Sequence, residues 1–398
     1  MVTVPRLIED VDEILPGVIA DRRHFHQNPE LGFQEFETSR FVAERLASMG
    51  VEDIRTGING TGVIGLIRGT TGGKVVLVRA DMDALPIFEE NEVEYRSASD
   101  GVMHACGHDA HTAILLAVTR VLMDRRDQFS GAVKVLFQPA EELFPGGANG
   151  MIAEGVLEDP HVDEVFGLHM ANDQPVGKII VGSGPVMAAA DSFTLRIQGK
   201  GGHAAYPSYN VDPVVIGSQI VIALQTLVSR EVDPTKAAVV STCVFKAGDA
   251  FNVIPDFAEL GGTVRTFDPA VRDLLEQRIG ELASGVALAM NATVSYEYRR
   301  GYPATVNEAE AVEIVRMAAT DVVGADNVLL ADPKMGAEDF SYFLEHRPGA
   351  FFFVGSKNDD KGLVWGHHHP RFDIDEESLG IGIQTMVATV LGYLDSAR

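Results

Sequence analysis

Short apolar runs that each end in acidic or histidine side chains constrain the fold of this chain most. The runs cover residues 75–79, 133–137 and 165–168, and a helical pattern over 113–123 separates the first two. Continuous apolar runs of this length are typical of parallel strands buried on both faces. Strands that alternate with helices predict an α/β layer built on a mainly parallel sheet.

The polar side chains at the ends of these runs predict where a site would lie. They are Asp81, Asp83, Glu141, Glu142 and His169. Open α/β sheets place their ligands in the crevice at the carboxyl ends of the strands. We therefore expect residues that are far apart in sequence to meet at one site. Chance placement of polar residues at three strand ends is the weaker alternative.

The segment 106–109, Cys-Gly-His-Asp, places a thiol and an imidazole two residues apart. Zinc-like ions take about four N, S or O donors, so further ligands must come from elsewhere in the chain. The candidate ligands, five in number, are Cys106, His108, Glu142, His169 and His368. This number exceeds what one tetrahedral ion needs and favours two ions that share a bridging ligand. A lone cysteine is more commonly a small buried hydrophobe, and that alternative stays open.

Two carboxylates are predicted to support this chemistry from neighbouring positions. Glu141 adjoins the candidate ligand Glu142, and metal-assisted hydrolysis needs one carboxylate on the metal and another on the attacking water. Adjacent glutamates are otherwise usually a solvated surface. Asp109 is expected either to cap the following helix or to hold a ligand in place.

The pattern changes after Met187. A strand–helix–strand–strand–helix–strand order follows, which predicts a small α+β, ferredoxin-like module inserted into the larger domain. We expect residues 1–187 plus 298–398 to form a metal-binding catalytic domain. Residues 188–297 are expected to form the inserted domain.

Composition excludes several classes of function. The chain has 57 acidic and 32 basic residues and a formal net charge of −25, which argues against nucleic acid and anionic membranes as partners. With only two cysteines, a disulfide framework is not expected. No secretory signal and no apolar stretch near the ~18 residues of a membrane span is expected. A cytoplasmic location is the resulting expectation.

Eight stretches together carry a family resemblance over nearly the whole length of the chain. They cover residues 23–33, 79–86, 104–109, 138–142, 167–169, 199–205, 252–255 and 368–370. The chain resembles the aminoacylase and carboxypeptidase-type amidohydrolases. Within them it is similar to the branch of hippurate hydrolases, N-acyl-amino-acid deacetylases and auxin-conjugate hydrolases.

The resemblance implies roles for individual residues. Two divalent ions (zinc, manganese or cobalt) would bind to the five candidate ligands, and Glu141 would be the general base. His203 would polarise the scissile carbonyl, often across a dimer interface, while Asn252 and Arg265 would hold the substrate. His203 and Asn252 as ordinary turn residues, and Arg265 as a surface cation, are the alternatives.

The resemblance leaves other positions less defined. Asp81 and Asp83 stand where peptidase relatives carry a metal-linked His and Asp, so their role stays open. Glu338, with Asp339, is a candidate for supporting the ligands, with surface charge as the alternative.

The function that these observations predict is hydrolysis of small-molecule N-acyl-L-amino acids (N-acetyl, benzoyl or similar) to a carboxylic acid and a free amino acid. The resemblance implies a homodimer or homotetramer, with the inserted residues 188–297 as a lid or dimerisation domain. The alternatives are a metallo-dipeptidase or carboxypeptidase, and a catalytically silent ligand-binding protein on the same fold. A purely structural metal site is a third alternative, disfavoured because structural sites rely on Cys and His.

Overall fold

The computed structural model describes residues 4–395. Its helices are α1 (Val4–Gln27), α2 (Phe36–Ser48), α3 (His108–Met123), α4 (Ala148–Ala153), α5 (Pro213–Thr226), α6 (Pro269–Ala289), α7 (Ala309–Val323), α8 (Ser341–His346) and α9 (Glu377–Asp395). Its strands are β1 (Glu52–Ile58), β2 (Gly62–Arg68), β3 (Val75–Asp81), β4 (Ala132–Gln138), β5 (Glu164–Pro175), β6 (Ile179–Val181), β7 (Gly184–Met187), β8 (Ala189–Gln198), β9 (Gly202–His203), β10 (Ala238–Lys246), β11 (Val253–Ile254), β12 (Phe257–Thr266), β13 (Thr293–Arg300), β14 (Thr305–Asn307), β15 (Val328–Leu330) and β16 (Gly349–Lys357).

The first of two units contains the chain up to Val186, Val306–Asp332 and the residues from Asp339 onward. Its eight-stranded sheet has the order β1-β2-β4-β3-β5-β16-β6-β15, and the neighbours β4, β3, β5 and β16 run parallel. Strands β3 and β4 are buried along their whole length, as their continuous apolar sequences predict. The prediction of a mainly parallel α/β sheet is confirmed.

Helix α3 occupies the centre of the layer that covers this sheet. It packs against α1, α9 and strand β3, and it is buried on nearly every face. The sequence pattern predicted its start at Ala113, but the helix begins at His108. The earlier start places a candidate ligand in the first helical turn, because buried polar side chains rather than apolar ones fill that turn.

The second unit contains Met187–Thr305 and Pro333–Glu338. Its four-stranded antiparallel sheet has the order β10-β12-β8-β13, and α5 and α6 pack against it. Strand β8 alternates buried and exposed residues, the pattern of a sheet with one solvated face. In chain order the elements run β8, α5, β10, β12, α6 and β13, which is the predicted strand and helix order.

The second predicted domain boundary was wrong. Strand β13 continues to Arg300 and pairs with β8 along its length, so a boundary at 297/298 would cut a strand of the inserted sheet. The second unit extends instead to Thr305 and includes the separate segment Pro333–Glu338. The first boundary, after Met187, differs by one residue.

One helical stretch in the described chain is long and apolar enough to cross a membrane by length and composition alone. It runs from Pro213 to Glu231 with a mean hydropathy of 1.3. The expectation that no stretch approaches such a length was therefore wrong. Its residues Ile216, Ile220 and Leu224 belong to the core of the second unit. Because a core helix meets the same criterion, the stretch is weak evidence for a span.

Candidate active site

The candidate site of the first unit surrounds Asp83, which follows β3. Its two carboxylate oxygens accept the backbone N–H groups of Glu141 and Glu142, each at 2.9 Å. The same residue contacts His108, whose Nδ1 lies 2.9 Å from the Asp83 carbonyl and 3.3 Å from its carboxylate. Asp83 therefore orients the imidazole ring of His108. It also holds the backbone of Glu141 and Glu142.

Two more candidate ligands meet on the far side of His108. The Sγ atom of Cys106 lies 3.6 Å from Nε2 of His169. Nδ1 of His169 lies 2.7 Å from the Met170 carbonyl, so Nδ1 carries the proton and donates it there. Nε2 is left with a lone pair directed toward Cys106. A backbone or carboxylate acceptor on the outer nitrogen is the usual way in which a metal-binding histidine is oriented.

The fourth and fifth candidate ligands also lie together. Nε2 of His368 is 3.0 Å from Oε1 of Glu142. The backbone N–H of His368 donates to the Ala105 carbonyl at 2.7 Å, which joins its loop to the segment before Cys106. His368 has a positive φ of 65°, and its side chain is more exposed than those of the other four candidate ligands.

The structure contains five groups of potential ligand atoms, and two of them consist only of the five candidate ligands and share one residue. In each group all ligand atoms lie within 4.8 Å of one another. The two groups are Cys106 with His108 and His169, and Cys106 with Glu142 and His368. A shared thiolate between two sets of ligands is the arrangement that a pair of bridged ions requires.

The chemistry of these residues fits metal ions. Nε2 of His108 is buried and has no hydrogen-bond partner among the described residues, and the nearest carboxylate oxygen, on Asp81, is 3.7 Å away. Burial opposes a charge on this imidazole, yet Asp81 and Asp83 raise its pKa to about 10. A pocket that favours a proton so strongly favours a cation at the same place.

The thiol adds to this argument. Burial, and then the carboxylates of Glu142 and Glu141, raise the pKa of Cys106 well above its usual value. Only the thiolate is a metal ligand, so this side chain needs a nearby positive charge to ionise. Mixed sulfur, nitrogen and oxygen donors suit zinc and related first-row ions.

Three predicted residues lie in the second unit. His203 is on β9 and Asn252 immediately precedes β11, the partner strand of β9. Both are exposed, and the N–H of Ala204 donates to the Asn252 carbonyl at 3.1 Å. Arg265, on β12, is half-buried and donates to the Thr263 hydroxyl. The structure thus joins His203 and Asn252 through one short ladder, whereas Arg265 lies on a different sheet.

Comparison with known proteins identifies the family. Residues 77–392 match the model of peptidase family M20/M25/M40. An N-acyl-L-amino acid amidohydrolase of Geobacillus stearothermophilus is 46% identical over 297 residues, covering 75% of this chain and 80% of the relative. Thermostable carboxypeptidase 2 of Saccharolobus solfataricus is 40% identical over 382 residues, or 95% and 96% of the two chains.

A solved structure agrees. The crystal structure of the Bacillus subtilis YXEP protein, described as a dinuclear metal-binding peptidase of the M20 family, matches with a TM-score of 0.84 and 34% identity. It covers 97% of this chain and 99% of that protein. The chain belongs to the M20 family. The predicted resemblance, the metal-dependent hydrolase class acting on amide C–N bonds and the two divalent ions are confirmed.

Sequence reasoning missed an imidazole that supports the site of this M20 hydrolase. His111 lies one helical turn after His108, and its Nδ1 is 2.6 Å from a carboxylate oxygen of Asp81. Its Nε2 accepts the N–H of Met170 at 2.9 Å, which fixes the backbone next to His169. The i, i+3 spacing of the two histidines on one helix was a signal that could have found it.

The role of Asp81 stays open, and the structure describes its contacts. It binds His111, and its other oxygen accepts from Nη1 of Arg79 at 2.6 Å. Arg79 and Asp81 are both fully or almost fully buried. Asp81 is therefore a buried anion held between a guanidinium and an imidazole, behind the candidate ligands.

A second buried network links α1 to Asp109 of α3 and to Asp373. Arg22 of α1 donates to Asp109 at 2.8 Å and to Asp373 at 2.7 Å. His26 contacts the same oxygen of Asp109 at 2.8 Å. Asp109 directly follows the candidate ligand His108, and Asp373 follows the candidate ligand His368 by five residues. Arg22 thus joins two segments that carry candidate ligands and are far apart in sequence.

This network corrects one alternative for Asp109. The residue before α3 is Gly107, with a φ of 96°, and no side chain caps that helix. The carboxylate of Asp109 points instead to Arg22 and His26. The helix-cap interpretation was wrong, because the buried cations outcompete the backbone N–H groups for this carboxylate.

The two acidic residues at 338 and 339 are not surface charges. Glu338 and Asp339 are 1% and 0% exposed. Asp339, which belongs to the first unit, accepts from Arg79 and Gln138 at 2.8 Å each. Glu338 is assigned to the second unit, and its supporting role stays a prediction.

Proposed function

We propose that this M20 hydrolase cleaves the amide bond of N-acyl-L-amino acids and releases a carboxylic acid and a free amino acid. The observation that carries the proposal is that Cys106 is shared by two donor groups, with Glu141 next to the ligand Glu142. The relative named N-acyl-L-amino acid amidohydrolase supports this substrate class. We assign the five donors of those groups as the ligands of two divalent ions.

The ions, when bound, would lower the pKa of a coordinated water and polarise the amide carbonyl. Glu141 takes the proton of the attacking water as the C–O bond forms. It then returns that proton to the amine nitrogen as the C–N bond breaks, so that acid and amine leave in balance. Glu141 is 7% exposed, and its backbone N–H is held by Asp83. Both features restrict the motion of the base between the two transfers.

The second unit supplies the remaining roles in the proposal. His203 donates a hydrogen bond to the developing oxyanion, which is the usual contribution of such a donor. Asn252 and Arg265 bind the substrate, and a guanidinium suits the carboxylate of an amino acid. Glu338 supports the ligand segment. These assignments rest on the resemblance and on the chemistry of the side chains.

We also propose that the protein forms a homodimer or homotetramer. The second unit has an edge strand, β10, with Val244 and Phe245 exposed, and α5 exposes Val215 and Ile222. Unpaired edges and exposed apolar faces are the features that subunit interfaces cover. A cytoplasmic location completes the proposal, since both cysteines are free and reducing compartments keep thiols from forming disulfides.

Exchange of the adjacent glutamates tests the mechanism. Glu141→Gln should keep both ions and lower kcat by about 10²–10⁴-fold, because it removes the base alone. Glu142→Gln, the matched control, should lose metal as well as rate. The measurements are metal content by elemental analysis and kcat on N-acetyl and N-benzoyl amino acids. Wild-type turnover by Glu141→Gln would contradict the assigned base.

The second candidate function is a carboxypeptidase or dipeptidase, which the 40% identical carboxypeptidase favours. A substrate panel separates the two. N-acetyl amino acids, N-benzoyl amino acids and dipeptides should be compared by kcat/KM with the same metal-loaded enzyme. Higher kcat/KM on dipeptides with a free amino terminus would replace the proposed substrate class. An enzyme that binds these compounds without cleaving any would favour the silent ligand-binding protein.

A further inference from the structure

Three successive backbone N–H groups in the turn after β4 are held by two buried carboxylates. The N–H groups of Glu141 and Glu142 donate to Asp83 at 2.9 Å each. The N–H of Ala140 donates to Oε1 of Glu35 at 2.8 Å. This turn carries the proposed base and one proposed ligand, so the carboxylates act on the positions of both.

The backbone of Ala140 needs such support. Its φ of 54° lies in the left-handed region, which a residue with a Cβ atom rarely adopts. Its surroundings are close, because a side chain at Gly32 would come within 3.1 Å of the Ala140 Cβ atom. A conformation of this kind persists where neighbouring groups fix it. The bond from Glu35 is the contact that holds the Ala140 N–H.

The carboxylate of Glu35 contacts the turn and one hydroxyl group and does not cap α2. It immediately precedes α2, a position where a side chain commonly caps the helix, yet it makes no side-chain cap hydrogen bond. Its second oxygen accepts from the Thr61 hydroxyl at 2.6 Å, and the residue is 0% exposed. One carboxylate oxygen therefore binds the turn after β4, and the other binds Thr61, the residue directly before β2.

The charge of Glu35 is not what the contact needs. Burial raises the pKa of this carboxyl to about 7, so the neutral form is accessible near physiological pH. A protonated carboxyl still accepts the Ala140 N–H through its carbonyl oxygen. The length of the side chain, in contrast, decides whether the oxygen reaches that N–H.

We propose that Glu35 is a positioning residue that holds the Ala140–Glu142 turn in its left-handed conformation through the reach of its side chain. It sets the place of Glu141 and of Glu142 without touching substrate or metal. The inference rests on the proposed function for the role of Glu141 as base and of Glu142 as ligand. Its consequence for metal binding is independent of the substrate.

Two substitutions separate reach from charge. Glu35→Gln keeps the length and an acceptor oxygen but removes the charge, whereas Glu35→Asp keeps the charge and shortens the side chain. Thr61→Val is the matched control, because it removes the other hydrogen bond of Glu35 and leaves the Ala140 contact. Each variant is compared with wild type by zinc affinity, in competition with a chromophoric chelator, and by kcat, KM and Tm.

Glu35→Asp should lower zinc affinity and kcat each by about 10–100-fold, with KM changed by less than about threefold. Glu35→Gln should stay within about threefold of wild type in both. Thr61→Val should lower Tm while zinc affinity and kcat stay near those of wild type. If Glu35→Asp does not fold, Glu35→Met takes its place with the same expected losses, because it keeps the volume and offers only a weakly accepting sulfur.

The inference is overturned if Glu35→Gln is as impaired as the shortened variant, because charge would then be the cause. Unchanged zinc affinity and kcat in Glu35→Asp would overturn it as well. So would equal losses in Thr61→Val, which would reduce Glu35 to a stabilising residue. If wild type cleaves no amide of the panel, the proposed function fails, and the zinc affinities still decide the role of Glu35.

Discussion

The buried cluster of the first unit and the three predicted residues of the second unit are built in opposite ways. In the cluster, His108 is oriented by Asp83 and His169 by the Met170 carbonyl. His203 and Asn252 are exposed on a two-stranded ladder. A coordination sphere demands fixed donor positions, whereas a group that contacts a substrate needs access. The contrast agrees with the proposed division between residues that would bind the ions and residues that would act on the substrate.

The largest effect expected from this contrast is on turnover. His203→Ala should lower kcat by about 10²–10³-fold, the cost of removing one oxyanion donor, and leave metal content unchanged. His169→Ala should lower metal content and rate together, because it removes a proposed ligand. Elemental analysis and steady-state kinetics on the same protein preparations measure both.

A loss of metal from His203→Ala that matches its loss of rate would break the comparison. So would full metal occupancy in His169→Ala. The control is His161→Gln, because His161 is exposed and contacts Glu158 and Arg347 at the surface of the first unit. It should retain both metal and rate.

The second effect concerns stability, where the buried network of the first unit should respond to pH. His26 is fully buried between Asp109 and Glu89, at 2.8 and 3.1 Å. Burial and Arg22 oppose its charge, but these two carboxylates outweigh them and raise its pKa from 6.5 to about 9. The stabilisation by charged His26 is complete below 6.5, the pKa of this side chain in the unfolded protein. It is lost as the pH rises through the folded-state pKa of about 9.

The free energy of unfolding should therefore fall by about 3 kcal/mol between the two pKa values. The free energy of unfolding of wild type and of His26→Gln should be measured by urea unfolding from about pH 6 to about pH 9.5, a range that spans both pKa values. The difference between the two proteins isolates this residue from other titrating groups. A difference that stays constant across this range would show that His26 has the same pKa in the folded and unfolded states and would contradict the prediction.

The same division explains how much the sequence could predict. Strands β3, β4 and β5 were predictable because burial on both faces leaves continuous apolar runs, and the donors at their ends followed from the geometry of parallel sheets. The inserted sheet was predictable from alternation in β8 and from the element order. The edge strand β1 and the long helix α1 were missed, since exposed residues interrupt the apolar pattern in both.

The supporting contacts of the site were not predictable from local pattern. Arg22 is 87 residues from Asp109 and 351 residues from Asp373. Glu35 is 105 residues from the Ala140 N–H that it binds. Such pairs form because the fold brings two buried polar groups together, and each must then be satisfied. Nothing in the spacing of either residue to its own neighbours reports the distant partner.

The smallest effect expected concerns Arg265. This half-buried guanidinium donates to the Thr263 hydroxyl, and burial lowers its pKa from the usual value. Arg265→Lys keeps a positive charge and loses the planar, two-donor geometry that matches a carboxylate. KM for an N-acyl amino acid should rise about tenfold with kcat nearly unchanged, as for lost ground-state binding.

An N-acyl amino acid amide, which lacks the carboxylate, is the discriminating substrate for that variant. Its kcat/KM should be the same for wild type and Arg265→Lys, because the group that the guanidinium would recognise is missing. An equal loss on the acid and on the amide would instead make Arg265 a structural cation of β12. Metal content of Arg265→Lys should equal that of wild type. A change in metal content would contradict the proposal that only residues of the first unit bind the ions.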